Sequence, residues 1–165
     1  MPDKETVRRA RRDKRQGKSA STQAGEFVRE EFHHVREGKH GARSPEQAIA
    51  IGLSKARRAG VHLKPPRKGT VSEESRQAAE RDSRSSGTRH STSARRSRAT
   101  RDALKREGHS AGSTRAISEH AHRAAERRSP AARRKSATQA AQSRTHAERS
   151  RSARKAARTR MERSG

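Results

Sequence analysis

The chain contains no cysteine, tryptophan or tyrosine, and its only aromatic residues are Phe27 and Phe32. Without cysteine there is neither a disulfide framework nor a thiolate zinc site. With two phenylalanines, both needed in a core, single-stranded nucleic acid finds no stacking platform. Hydrophobic residues make up 25% of the chain. No apolar run approaches the ~18 residues of a membrane span, and residues 1–20 lack the apolar centre of a signal peptide. A protein without membrane contact, placed in the cytoplasm, is therefore expected. There is no strand pattern of period two and no glycine-rich loop of the kind that follows a strand to cradle phosphate. Catalysis needs a preorganised pocket, and so sparse a core has nothing to line one, so neither an enzyme, a small-molecule substrate nor a cofactor is expected.

What the chain does have is positive charge. Its 165 residues include 43 Lys and Arg against 18 Asp and Glu, a formal charge of +25, and Arg far outnumbers Lys. Such a chain binds polyanions by releasing their counterions, and nucleic acid is the commonest polyanion in a cell. Low hydrophobicity with high net charge also predicts disorder over much of the length.

One stretch, 44–60, carries complete helix grammar. Ser44 is placed as N-cap with Gln47 three residues on, and Pro45 occupies the first helical position. Gly60 supplies a left-handed stop, and Arg57 and Arg58 suit the negative end of the dipole. Ala48, Ile49, Gly52, Leu53, Ala56 and Ala59 fall on one stripe, with Ile51 off it between Lys55 and Arg58. A second helix is expected over 21–38, capped by Ser21 or Thr22, with Val28, Phe32 and Val35 at helical spacing beside Phe27 and closed by Gly38. The short link 39–43 makes the two a packed pair, over which Val61 and Leu63 fold back before Pro65 and Pro66. So small a module is marginal alone, and self-association through Ile51 would support it.

Three segments carry a resemblance: Ala24-Gly25-Glu26-Phe27-Val28-Arg29-Glu30-Glu31, Arg36-Glu37-Gly38-Lys39-His40-Gly41, and Gln47-Ala48-Ile49-Ala50-Ile51-Gly52-Leu53-Ser54-Lys55-Ala56-Arg57-Arg58-Ala59-Gly60. They resemble a family of small, basic bacterial proteins catalogued as a domain of unknown function, whose members are often labelled DNA-binding proteins. The similarity covers 21–66. Downstream, Ser97-Arg98-Ala99-Thr100 and Ala103-Leu104-Lys105-Arg106-Glu107-Gly108 look like extensions of longer relatives. The resemblance implies DNA binding and brings no catalytic residues.

The remainder divides by composition. Residues 1–20 read as a solvated basic arm, since only Val7 would give a helix there a core face. Residues 64–70 are a Pro/Gly basic linker that joins the hairpin module, 21–63, to a tail. The tail, 71–165, is rich in Arg, Ser and Ala, and its only large apolar residues are Val71, Leu104, Ile117 and Met161. Transient helices are expected over 72–82, 98–107 and 113–128, the last stopped by Pro130, with a Ser/Arg low-complexity run at 83–97. In composition the last third is similar to the tails of linker histones. Such tails neutralise phosphate without reading bases.

His33, His34, Glu37 and His40 invite a metal reading, because His33 and Glu37 share a helix face. A site also needs a fourth ligand and an outer shell, so solvated histidines and no metal are the simpler expectation. Base-specific reading would need a third helix and a defined recognition face. The sequence thus predicts an all-α helical hairpin with long, largely disordered Arg-rich extensions, binding duplex DNA nonspecifically in the bacterial nucleoid. RNA or ribosome association is the alternative, and a stress-protective disordered protein a third. The residues expected on phosphate are Arg43, Lys55, Arg57, Arg58, Lys64, Arg67, Lys68, Arg95, Arg96, Arg98, Arg101, Arg133, Arg134, Lys135, Arg154, Lys155, Arg158 and Arg160.

Overall fold

The computed structural model describes residues 2–84, 93–142 and 145–164, apart from the side chains at 96, 163 and 164. Among them are eight α-helices: α1 (Lys4–Arg15), α2 (Ala20–Arg36), α3 (Pro45–Arg58), α4 (Glu73–Arg84), α5 (Ala94–Arg106), α6 (Thr114–Glu126), α7 (Pro130–Gln142) and α8 (His146–Ser164), with a 3-10 turn at Ser110–Gly112. The chain divides into two compact units, Met1–His120 and Ala121–Gly165, and the division falls within α6.

In the first unit α2 and α3 lie against each other, and the contact is set by small residues. Ala24, Ala48 and Ala56 are fully buried. At Gly52 the helices come so close that an added Cβ would lie 2.7 Å from the Val28 Cα. Two apolar clusters result. One joins Ala10, Ala24, Phe27, Ala56 and Val61, flanked by Val7, Leu53 and Leu63. The other joins Phe32, Val35, Ala42, Ala48 and Ala111, flanked by Val28, Ile49 and Ile117. The expected caps of α3 are present: the Gln47 amide donates to Ser44 Oγ at 3.3 Å, and the Arg43 amide donates to Gln47 Oε1 at 2.7 Å. Gly38 and Gly60 both take the positive φ their C-terminal stops require, +71° and +91°. The cap of α2 is Ser19, whose Oγ accepts from the Thr22 amide at 3.3 Å, in place of Ser21 or Thr22.

The hairpin with disordered extensions is overturned: the described chain is ordered and 75% helical. The segment 1–20 holds α1, packed on α2 with Thr6, Ala10 and Asp13 buried. Small and polar side chains fill that interface, so an apolar-stripe criterion passes over it. The tail is helical too, because Ala, Arg, Lys and Gln have high helix propensity and hydroxyl caps start the helices. Ser72 Oγ accepts from the Ser75 amide and Ser113 Oγ from the Ala116 amide, each at 3.2 Å, at the starts of α4 and α6. Pro130 begins α7 instead of stopping α6, with Ser129 Oγ accepting from the Ala132 amide at 3.2 Å. Thr145 and Glu148 form a reciprocal capping box for α8, at 2.8 and 3.3 Å. Of the Ser/Arg run, 85–92 lie outside the described residues.

Parts of this former tail complete the first unit. The Gly41 and Ala42 amides donate to the Leu104 and Gly108 carbonyls at 2.8 and 2.9 Å. Gly41 sits there because a Cβ would collide with the Glu107 carbonyl. Gly112 rests on Val35, and Ile117 on the second cluster. Asp82 of α4 takes Ser54 Oγ at 2.5 Å and Arg58 Nε at 3.3 Å, on the stripe that carries Ile51. Ile51 is half-buried, and the large hydrophobics exposed among the described residues are Val71 and Met161.

Two measurements probe this arrangement. Replacing a helical glycine by alanine ordinarily stabilises by up to about 1 kcal/mol. Gly25→Ala, with nothing within 4 Å of the new methyl, should follow that rule. Gly52→Ala should reverse it, costing about 1–3 kcal/mol as the helices part. Urea denaturation of the two variants checks this, and equal effects would refute the close approach. The second probe is pH. Its own backbone N–H, His120 and the Ser44 hydroxyl hold the Glu46 carboxyl at about 2 against an ordinary 4.5. A carboxyl whose pKa falls on folding stabilises fully above the unfolded value, so this contribution fades from about 4.5 down through about 2. The melting temperatures of the parent chain and Glu46→Gln should therefore differ at pH 5 and converge toward pH 2. A gap constant with pH would count against the Glu46–His120 tie.

Candidate nucleic-acid interface

The cations of this chain divide by whether a carboxylate already holds them. In the first unit many are held. Arg9 Nε lies 2.6 Å from Glu26 Oε2, which also takes Arg29 Nη2 at 2.5 Å. Burial raises the Glu26 pKa, but hydrogen bonds and charge from Arg29 and Arg9 outweigh it, so its carboxyl stays below the ordinary range. Lys18 pairs with Asp13 at 2.7 Å, and Arg76 with Glu73 and Glu80.

The phosphate candidates on α3 sort the same way. Lys55 points inward, its Nζ 2.5 Å from Glu31 Oε2 and 3.6 Å from Glu30 Oε1, with both carboxylates almost wholly buried. Arg57 is 6% exposed, and burial pushes its pKa down while the Asp82 charge opposes the change. Arg58 is exposed but engaged with Asp82 and Ser54. Arg43 reaches outward, with Glu107 at 3.7 Å. Lys64, Arg67 and Lys68 are exposed between α3 and α4, in a segment turned by the Thr70 amide donating to the Arg67 carbonyl at 3.1 Å. On α5, Arg95, Arg98 and Arg101 are exposed, while the side chain of Arg96 lies outside the described residues.

The second unit is different. Residues 121–165 carry fourteen Lys and Arg against three Glu. Every residue of α7 is exposed, including Arg133, Arg134 and Lys135, and α7 contains no acidic residue. On α8, Arg154, Lys155, Arg158 and Arg160 are exposed, and Arg158 Nε meets Glu162 at 2.8 Å. Among the described residues Arg133, Arg134, Lys135, Arg154 and Lys155 make no ion pair. Sequence reading passed over Arg149 and Arg151 on α8, and Arg8, Arg11, Arg12 and Arg15 on α1, all exposed. The helix starts at Ser129-Pro130 and Thr145 are the signal that marks the first two.

The histidines regroup as well. His33 and Glu37 pair at 2.9 Å on the exposed face, as solvated residues do. His34 and His40 turn inward and meet Glu31.

Among the described residues no helix is long and apolar enough to cross a membrane. No family model matches the chain, and neither a characterised protein nor a solved structure gives a significant match.

The division of cations predicts unequal consequences of their removal. Lys55→Gln leaves two buried carboxylates without their ammonium, a loss of about 3–5 kcal/mol. Lys68→Gln, on exposed chain, should change stability by less than about 0.5 kcal/mol. Chemical denaturation of the full chain separates them. Equal stability would show that Lys55 faces outward after all.

Proposed function

We propose that the protein binds duplex nucleic acid, DNA first, without reading its sequence, as a nucleoid-associated or compacting protein of the cytoplasm. The observation that carries this reading is the excess of cations on helices that bury nothing. A helix exposed on every side has no packing reason for Arg133, Arg134 and Lys135 in a row. In a cell such charge attracts phosphate and releases its counterions. A cation locked onto a protein carboxylate contributes little to that exchange, so Lys55, Arg57 and Arg58 are secondary and the contact falls to α7, α8, the exposed face of α5, and Lys64, Arg67 and Lys68. Phosphate contacts of this kind position a protein on a duplex and carry no base information. The role needs no catalytic group, substrate or cofactor.

Binding should weaken steeply with salt. Each phosphate neutralised adds roughly 0.9 to the log–log slope, so ten engaged cations give a slope near −9. Replacing Arg133, Arg134 and Lys135 together by Gln should make it shallower by about 2.7. Random and AT-rich duplexes should differ by less than about tenfold, and an RNA duplex should bind no tighter than DNA. A slope shallower than about −3, or one the triple substitution leaves unchanged, defeats the reading. A tenfold preference for RNA moves it to an RNA-associated protein.

A further inference from the structure

The end of α2 buries two carboxylates, with one ammonium, Lys55, in contact with both. Glu31 is 1% exposed and Glu30 is 5% exposed. The exposed Asp3 carboxylate lies beside them, with Oδ2 3.4 Å from His34 Nε2, and the Asp3 backbone amide donates to Glu30 at 3.3 Å. Lys55 is the ammonium in contact with Glu30 and Glu31, at 3.6 and 2.5 Å. The His34 and His40 imidazoles also face them, and the Lys39 charge is felt at Asp3 and Glu30. Buried carboxylates need a compensating cation.

His40 shows where one would sit. Its Nδ1 lies 3.0 Å from the Gly41 carbonyl and its Nε2 lies 2.9 Å from Glu31 Oε1. With Nδ1 against a backbone carbonyl, Nε2 is the nitrogen that faces the carboxylate. That is how metal-ligating histidines are held: one nitrogen donates to a backbone carbonyl, and the other is left for the ion. A second observation agrees. Both Glu31 oxygens are buried and make no hydrogen bond among the described residues; their contacts are the ionic ones, Lys55 Nζ at 2.5 Å from Oε2 and His40 Nε2 at 2.9 Å from Oε1.

We propose that Glu31, His34 and His40 form a binding site for a divalent transition-metal ion of the zinc class. Their ligand atoms all lie within 4.8 Å of one another. Tetrahedral zinc, with bonds of ~2.0–2.1 Å, holds its ligand atoms about 3.3 Å apart, so modest side-chain adjustment closes the set. Two imidazoles and one carboxylate suit zinc, nickel or copper and are too nitrogen-rich for magnesium or calcium. Glu31 and His34, three apart, share a face of α2, and His40 arrives after the chain reverses at Gly38. Asp3 is the outer carboxylate for His34, and Lys55 the outer cation for Glu31. Three protein ligands leave the fourth position of a tetrahedral ion to water. The ion ties the end of α2 to the loop leading into α3, a structural role independent of the nucleic-acid reading.

The test uses the full chain, stripped with chelator and titrated with Zn²⁺, and with Co²⁺ for its visible spectrum. One ion per chain, bound with Kd below about 10 μM and raising the melting temperature, is the expected result. The Co²⁺ complex should show the intense bands of four-coordination. His34→Gln or His40→Gln should weaken binding at least about tenfold, whereas His33→Gln and His122→Gln leave it unchanged. Should an inner variant lose helicity, the unmodified chain decides through imidazole NMR. Zn²⁺ must then move the His34 and His40 ring signals before those of the other histidines. Uniform movement of all rings, equal loss from His33→Gln, or no binding tighter than about 100 μM overturns the site.

Discussion

Close approach of α2 and α3 is the constraint on which the first unit depends. A chain with this little apolar surface cannot hold helices apart with large side chains. It brings backbones together through Gly52, Ala24, Ala48 and Ala56 and lets dispersion contacts between small groups replace bulk. The approach leaves Phe27, Phe32 and Val35 as the large residues filling either side of the crossing. It also determines where charge can go. Glu30 and Glu31 lie at the edge of that narrow interface, and Lys55 on the facing helix is within reach of both.

The same economy separates two uses of basic residues. Inside the first unit, Lys and Arg act as structural partners, neutralising acids that a larger core would have kept outside. On α7 and α8, Arg133, Arg134, Lys135, Arg154 and Lys155 make no ion pair among the described residues. One residue type thus does unrelated physical work in two parts of the chain. A total of +25 therefore overstates the charge available to a partner, because Arg9, Lys18, Lys55 and Arg76 are already occupied.

Local grammar was legible in the sequence; long-range convergence was not. Ser44, Pro45, Gln47 and Gly60 announce α3 because a cap and a stop act within one turn of themselves. The same grammar stands at Ser129-Pro130 and at Thr145 with Glu148, yet weighing composition above caps turned those helices into disorder. The interface of α1 was hidden for another reason. Thr6, Ala10 and Asp13 make no hydrophobic stripe, and their burial follows from Phe27 and Glu26 on the opposite helix. Helical spacing paired His33 with Glu37, correctly as an exposed contact. It had no means of bringing His40 back past Gly38 to meet Glu31 and His34. Of the residues expected on phosphate, those on α7, α8 and the linker are exposed as their charge implied. The inward turn of Lys55 depends on acids on another helix.

The clasp between the loop at Gly41–Ala42 and the end of α5 has a kinetic consequence. Its two backbone hydrogen bonds join residues more than sixty positions apart, and closing so long an excursion costs about 4 kcal/mol of chain entropy before any contact offsets it. Contacts among α1, α2 and α3 close far shorter loops. Loop-closure entropy therefore favours assembly of the three N-terminal helices ahead of the clasp, and makes the segment from 104 to 117 the part of the core whose contacts are costliest to close.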